Sequence, residues 1–232
     1  MIHFIVHGIV TAVFRVTLRI LGRWKKAGVD NVPSTGALLY CPNHVSDSDP
    51  AVVVSAIPRE AWFIGKQELF ENWFTNWLFR AMHGLPIKRD SADRAALRRI
   101  EDLLKRGEPV VIFPEGRCSQ TGKLQKIQPG AALMSIRTGA PIVPIGLMHT
   151  ADLLPYGTAK PRRTKEPVTI EFGKPIYPSE FDTLPKGDRV DALTKRLGEE
   201  IARLTNQPPP AFERESVSRK KTAIDEEHAD AA

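Results

Sequence analysis

A single α/β domain is the architecture this sequence predicts: a mixed or largely parallel sheet flanked by helices, preceded by an amphipathic membrane-binding helix. Three observations predict it. Short apolar runs of strand length alternate along the chain with stretches of helical periodicity. Pro109-Val110-Val111-Ile112-Phe113 is apolar at every position, as expected of a strand covered on both faces. Residues 1–22 are mostly apolar, yet His3, His7, Thr11, Arg15 and Arg19 interrupt them every fourth residue. At 232 residues, 42% hydrophobic and 26% charged, one core is the better reading of the chain.

The elements follow in order. The N-terminal stretch lacks the roughly 18 uninterrupted apolar residues of a spanning helix. Its charge follows the apolar part with no small-residue cleavage site, the reverse of a signal peptide. Arg15, Arg19, Arg23, Lys25 and Lys26 occur with no intervening acid, which fits an interfacial helix (1–26) on anionic lipid at the cytoplasmic face of a membrane. The main domain then spans 27–205. Ala37–Cys41 reads as a buried strand and Ala51–Ile57 as a helix, with Asp49 as its N-cap and Pro50 at its first position. Ala61–Gly65 is a second strand, leading into Lys66. A helix over 68–82 places Leu69, Phe70, Trp73, Phe74, Trp77, Leu78 and Met82 on an inward stripe, whose aromatic weight also suits an acyl chain or a membrane interface.

A short strand from Gly84 ends on Lys88 and Arg89. Ser91 caps a helix through Arg106 that turns Leu97, Ile100, Leu103 and Leu104 inward and stops at Gly107. The strand Pro109–Phe113 runs into Pro114-Glu115-Gly116-Arg117-Cys118-Ser119. A polar loop (120–129), a helix over Ala131–Thr138 closed by Gly139, and a buried strand over Ile142–Leu147 come next. Tyr156–Glu166 is a basic surface loop, Val168–Phe172 an edge strand, and Asp188–Leu204 an amphipathic helix. From Asn206 to residue 232 a proline triplet and a charged, apolar-poor end predict a disordered tail.

The net charge of +6 and pI near 9.4 call for an anionic partner: nucleic acid, an anionic membrane or a phosphorylated substrate. Two cysteines, Cys41 and Cys118, provide neither a disulfide framework nor metal-ligand spacing, which fits a reducing compartment. No glycine-rich phosphate loop is present to support nucleotide binding. The chemistry-bearing residues sit on loops between strands and helices: His44 with Asp49, Lys66, Lys88 with Arg89, and Glu115 with Arg117 and Ser119. An imidazole beside an acid at a helix N-terminus, where the dipole favours negative charge, is an oriented general base. Neighbouring arginines suit a phosphate, whose oxygens match the guanidinium fork. A metal site lacks a second His or Cys near His44, Asp47 and Asp49. A Cys41 nucleophile would lie inside a strand, where a thiol is inert.

Taken together these blocks resemble the glycerolipid acyltransferases of the 1-acyl-glycerol-3-phosphate acyltransferase type. His44 to Asp49 is similar to that family's first block, with Asn43 and Pro50 flanking it. Gly84-Leu85-Pro86-Ile87-Lys88-Arg89 resembles the second, Phe113-Pro114-Glu115-Gly116 the third and Val143-Pro144-Ile145-Gly146 the fourth. The third block departs from the usual pattern. Its arginine, Arg117, stands directly after the glycine, as in the acyltransferase half of bacterial bifunctional lysophospholipid acyltransferase/acyl-carrier-protein synthetases. The resemblance implies acyl transfer from an acyl thioester, on coenzyme A or acyl carrier protein, to a lysophospholipid hydroxyl, with no other cofactor and no nucleic acid. It implies His44 as base, Asp49 as its orienting acid, and substrate contacts from Lys66, Arg89, Glu115, Gly116 and Arg117. Glu115 would meet the glycerol hydroxyls and the cations the phosphate. A different lysolipid acceptor, or a non-catalytic lipid-binding protein of the same fold, are the competing expectations.

Overall fold

The computed structural model describes residues 2–81, 83–87, 94–158 and 160–212. Seven strands, β1 (Lys25–Ala27), β2 (Leu39–Pro42), β3 (Trp62–Lys66), β4 (Gly84–Ile87), β5 (Val110–Val111), β6 (Ile142–Met148) and β7 (Thr169–Phe172), form one sheet in the order β1-β7-β6-β2-β5-β3-β4. The five strands from β6 to β4 are parallel, while β7 is antiparallel to β6 and β1 runs parallel to β7. Alternation along the central strand sorts the core into two layers. Leu38 and Tyr40 join Leu18, Val52 and Val53, from the N-terminal segment and α2 (Asp49–Ala56). Leu39 and Cys41 join the opposite layer. There they meet α4 (Arg94–Lys105), α5 (Gly130–Thr138) and, beyond the short α6 (Thr150–Leu153), α7 (Lys186–Leu204) through Leu104, Met134, Leu197 and Ile201.

Ile100, Leu103 and Leu104 face inward as the spacing predicts, and Gly107 and Gly139 end their helices in the left-handed conformation. Gly146 lets β6 approach α7: a Cβ there would stand 2.6 Å from that of Leu204. Ser91, Lys88, Arg89, Met82 and the tail beyond residue 212 lie outside the described residues. Residues 206–212 follow the body, with Gln207 accepting the Leu124 N–H at 2.7 Å.

Two expectations need correction. Val168–Phe172 is not an edge, because Lys25–Ala27 forms a further strand outside it. Two lysines and an alanine carry no strand pattern, and the pairing partner lies far along the chain. The expected helix over 68–82 is broken: a 3₁₀ turn, Gln67–Phe70, precedes α3 (Trp73–Ala81). Phe70 stays buried, but Trp73 is 80% exposed and Trp77 also faces out, so the stripe is not all core.

The N-terminal helix α1 (Ile2–Thr17) continues as a π-helical turn, Leu18–Gly22. Its polar stripe meets the protein at His7, Thr11 and Arg15, while Arg19 is exposed. His7 Nδ1 lies 3.5 Å from Glu60, Thr11 is buried, and Arg15 Nε donates to the Ser55 carbonyl at 3.0 Å. Arg15 thus makes one bond to the domain while its side chain stays exposed. The apolar stripe Ile9, Val13, Val16 and Ile20 faces outward, each residue 57–62% exposed. Among the described residues no helix is long and apolar enough to cross a membrane.

Candidate active site

The site lies at the C-terminal ends of the parallel strands, where open α/β sheets place their ligands. Where the backbone leaves β2, Asn43 prolongs the ladder with its side chain. Its Oδ1 accepts the Leu147 N–H at 2.7 Å and its Nδ2 donates to the Leu147 carbonyl at 3.1 Å. That bracket sets the starting point of the loop carrying His44.

His44 Nδ1 is 2.9 Å from Asp49 Oδ2, and its ring packs on Phe113 with centroids 4.2 Å apart. Asp49 is fully buried, and the same Oδ2 accepts the Val45 and Ser46 N–H groups at 2.7 Å each. Asp49 is thus not the helix cap; Ser48 holds that position, and Asp49 opens α2 with its carboxylate turned back into the loop. A carboxylate accepts and does not donate, so Nδ1 carries the imidazole proton and Nε2 presents its lone pair. No protein group among the described residues bonds Nε2. The Val45 and Ser46 N–H groups, spent on Asp49, are unavailable to an oxyanion.

Glu115 is held by backbone donors of the loop that carries His44 and of Gln125. It is buried; its Oε1 accepts the His44 N–H at 2.6 Å and its Oε2 the Gln125 N–H at 2.8 Å. Ser119 N–H completes the grip on His44 by donating to its carbonyl at 2.7 Å. Burial pushes the Glu115 carboxyl above its ordinary range, against the pull of the two N–H donors and of His44. The geometry makes Glu115 a clamp on the backbone of His44. A Glu115→Gln substitution would aim an amide NH₂ at one of the two backbone donors, and a buried unsatisfied group costs about 1–3 kcal/mol. The expected outcome is a stability loss of that size in denaturant titration, with lower kcat and an unchanged acceptor KM. A rise in KM alone would instead assign Glu115 to substrate hydroxyls.

Gly116 turns the chain in the left-handed conformation (φ 75°), and Arg117 beside it is exposed, with its carbonyl accepting from Gln125 Nε2 at 3.2 Å. Lys66 closes β3 at the same end of the sheet, its side chain outside the described part. Arg89 lies wholly outside it. Cys41 is fully buried in the layer under α4, α5 and α7, its thiol pushed far up by desolvation, which removes it as a nucleophile. Among the described residues no group of three His, Cys, Asp or Glu side chains could hold a metal ion.

The sequence reading missed Asn43 and Phe113 as positioning residues, although both flank residues it singled out. It also missed Ser46 and Asp47. Ser46 Oγ donates to the Leu154 carbonyl at 2.6 Å and Asp47 Oδ2 accepts the Gly157 N–H at 3.0 Å, tying the His44 loop to the segment after β6.

A family model described as Acyltransferase matches residues 23–148. A chloroplastic 1-acyl-sn-glycerol-3-phosphate acyltransferase of Brassica napus is 34% identical over 160 residues, which are 68% of this chain and 46% of that one. The chain therefore spans under half the length of this relative. It spans 94% of a 1-acyl-sn-glycerol-3-phosphate acyltransferase of Bacillus subtilis, 25% identical over 83% of this chain. The crystal structure of a 1-acyl-sn-glycerophosphate acyltransferase from Thermotoga maritima shares the fold, with a TM-score of 0.70, 24% identity, and coverage of 85% of this chain and 77% of that one. The family match takes in β1 to β6 with the His44–Asp49 loop and Glu115, and on that ground the chain belongs to the acyltransferase family.

Proposed function

We propose that this chain transfers an acyl group from an acyl thioester, on coenzyme A or acyl carrier protein, to the free hydroxyl of a lysophospholipid. Its first-choice acceptor is 1-acyl-glycerol-3-phosphate, which yields phosphatidic acid. The observation that carries this reading is the His44–Asp49 pair, whose tautomer leaves Nε2 unprotonated at the open end of the sheet. Nε2 takes the proton of the acceptor hydroxyl as its oxygen attacks the thioester carbonyl. The C–S bond then breaks, and the thiolate leaves with the proton held by the imidazolium. Asp49 stabilises that imidazolium and keeps the ring in register. Lys66, Arg89 and Arg117 are the candidates for the acceptor phosphate. The acyl thioester is a co-substrate, and the step needs no bound cofactor.

The acceptor resides in a membrane, and the outward apolar stripe of α1 supports peripheral docking there. An interfacial helix buries such a stripe at the headgroup boundary, with exposed cations such as Arg19 beside it. The position of Arg117 directly after Gly116 keeps other lysolipids in play as acceptors.

A panel of lysolipids with one labelled acyl thioester tests the reading. The kcat/KM for 1-acyl-glycerol-3-phosphate should exceed that for a choline-headgroup lysolipid by about tenfold or more, the factor one further charge-assisted contact to the extra anionic oxygen of a phosphomonoester supplies. Preference for the choline lipid would overturn the acceptor. Lysolipid binding with no thioester consumed would leave a lipid-binding protein.

A further inference from the structure

Lys160, Arg162, Arg163 and Lys165 are exposed, no acid lies among them, and the acyl transfer proposed above gives them no role. Their segment is pinned to the end of the N-terminal helix. Thr164 N–H donates to the Leu21 carbonyl at 3.0 Å, Val168 N–H to Gly22 at 2.8 Å, and Lys25 N–H to Val168 at 2.8 Å. The Arg23 guanidinium donates to the Lys165 carbonyl. These bonds bring the loop beside Arg19, Arg23, Lys25 and Lys26, all exposed and equally free of intervening acids. Two segments far apart in sequence thus supply eight cations to one region; Glu166, just after it, is the nearest acid in either segment. One of the eight, Lys26, rests its ammonium over the Trp24 ring at 5.3 Å.

Sheet register locates this region. Lys25 pairs with Thr169, Thr169 with Met148, and Met148 follows the Leu147 that Asn43 brackets. The cations therefore lie on the same edge of the sheet as His44, three strand spacings or roughly 15 Å away. The intervening segment is fastened at both sides: Ser46 and Asp47 hold Leu154 and Gly157, and Arg162 N–H donates to the Leu153 carbonyl at 2.7 Å. Ile20, the last exposed residue of the apolar stripe on α1, adjoins Arg19.

We propose that residues 19–26 and 160–165 form one cationic surface that docks on anionic phospholipid headgroups and turns the His44 edge of the sheet toward the bilayer. The inference rests on peripheral docking by α1 and is independent of the chemistry assigned to His44. Edge protection by lysines accounts for Lys25 and Lys26 but not for 160–165, which belongs to no strand. An acidic protein would satisfy the cations alone. A lipid surface satisfies them together with the adjoining apolar stripe, which is the arrangement present here.

The test uses the full chain and its Lys160→Gln/Arg162→Gln/Arg163→Gln variant, whose altered side chains are exposed and whose backbone bonds remain. Co-sedimentation is measured with vesicles of phosphatidylcholine alone and of phosphatidylcholine mixed with phosphatidylglycerol. Wild type should prefer the mixed vesicles and lose that preference at high salt. The variant should lose about 100-fold in affinity for mixed vesicles, roughly fivefold per cation, with binding to phosphatidylcholine unchanged. Unchanged affinity for mixed vesicles, or equal losses on both compositions, overturns the proposal. So does wild-type vesicle binding with a raised KM for a protein-borne acyl donor, which would assign the surface to that donor. His44→Ala should sediment like wild type, so failure of the catalytic reading leaves this result intact. Failure of wild type to bind either vesicle overturns the docking of α1 along with it.

Discussion

His44→Ala should lower kcat for acyl transfer by about 10³-fold or more while leaving a folded protein, since general-base catalysis accounts for about 10²–10⁴-fold. The second half of that expectation comes from how the loop is held. Its backbone is fixed by Glu115 on the His44 N–H, by Ser119 on the His44 carbonyl, and by Asp49 on Val45 and Ser46. None of these bonds uses the imidazole. Truncation removes one ring face from Phe113 and one donor from Asp49, but the two backbone donors to that carboxylate stay. Single-turnover consumption of a labelled acyl thioester, alongside a thermal melt, checks both halves. A rate within tenfold of wild type would remove His44 from the chemistry. A collapsed melt would instead give the ring a structural role that its contacts do not indicate.

Local features of the site were legible in the sequence because one turn of chain contains them. The spacing of His44 and Asp49, the proline after the acid, and the glycine stops at 107 and 139 all act within a few residues. Even so the cap was misplaced by one residue: Ser48 takes that position, which frees the Asp49 carboxylate for the loop. What stayed hidden is long-range. Glu115 reaches backbone donors at His44 and Gln125, and a side chain that recognises peptide N–H groups leaves no trace in its partners' identities. Asn43 works the same way through Leu147. The strand β1 exists because β7 offers it an edge, not because Lys25-Lys26-Ala27 favours extension. For α1 the periodicity showed two different faces but could not say which one the protein takes. The partners of His7 and Arg15, at Glu60 and Ser55, decide that.

Asp49→Asn is the sharper probe of mechanism, because it separates charge from shape. Three donors converge on Oδ2, while Oδ1 is buried with no partner. An asparagine carbonyl placed at Oδ2 can still accept from Val45 and Ser46, with its NH₂ standing where Oδ1 stands now. The loop should therefore survive and the melting temperature should stay close to that of wild type. What disappears is the negative charge that balances the imidazolium formed when His44 takes the hydroxyl proton, and kcat should fall by about 10²–10⁴-fold. Asp49→Ala differs: it strands two buried N–H groups, at about 1–3 kcal/mol each, and should lose stability as well as rate. Measuring both variants by melt and by single turnover separates the roles. If Asp49→Asn turned over within tenfold of wild type while Asp49→Ala unfolded, the carboxylate would serve the backbone alone. The orientation of His44 would then rest on the Phe113 ring and the Glu115 clamp.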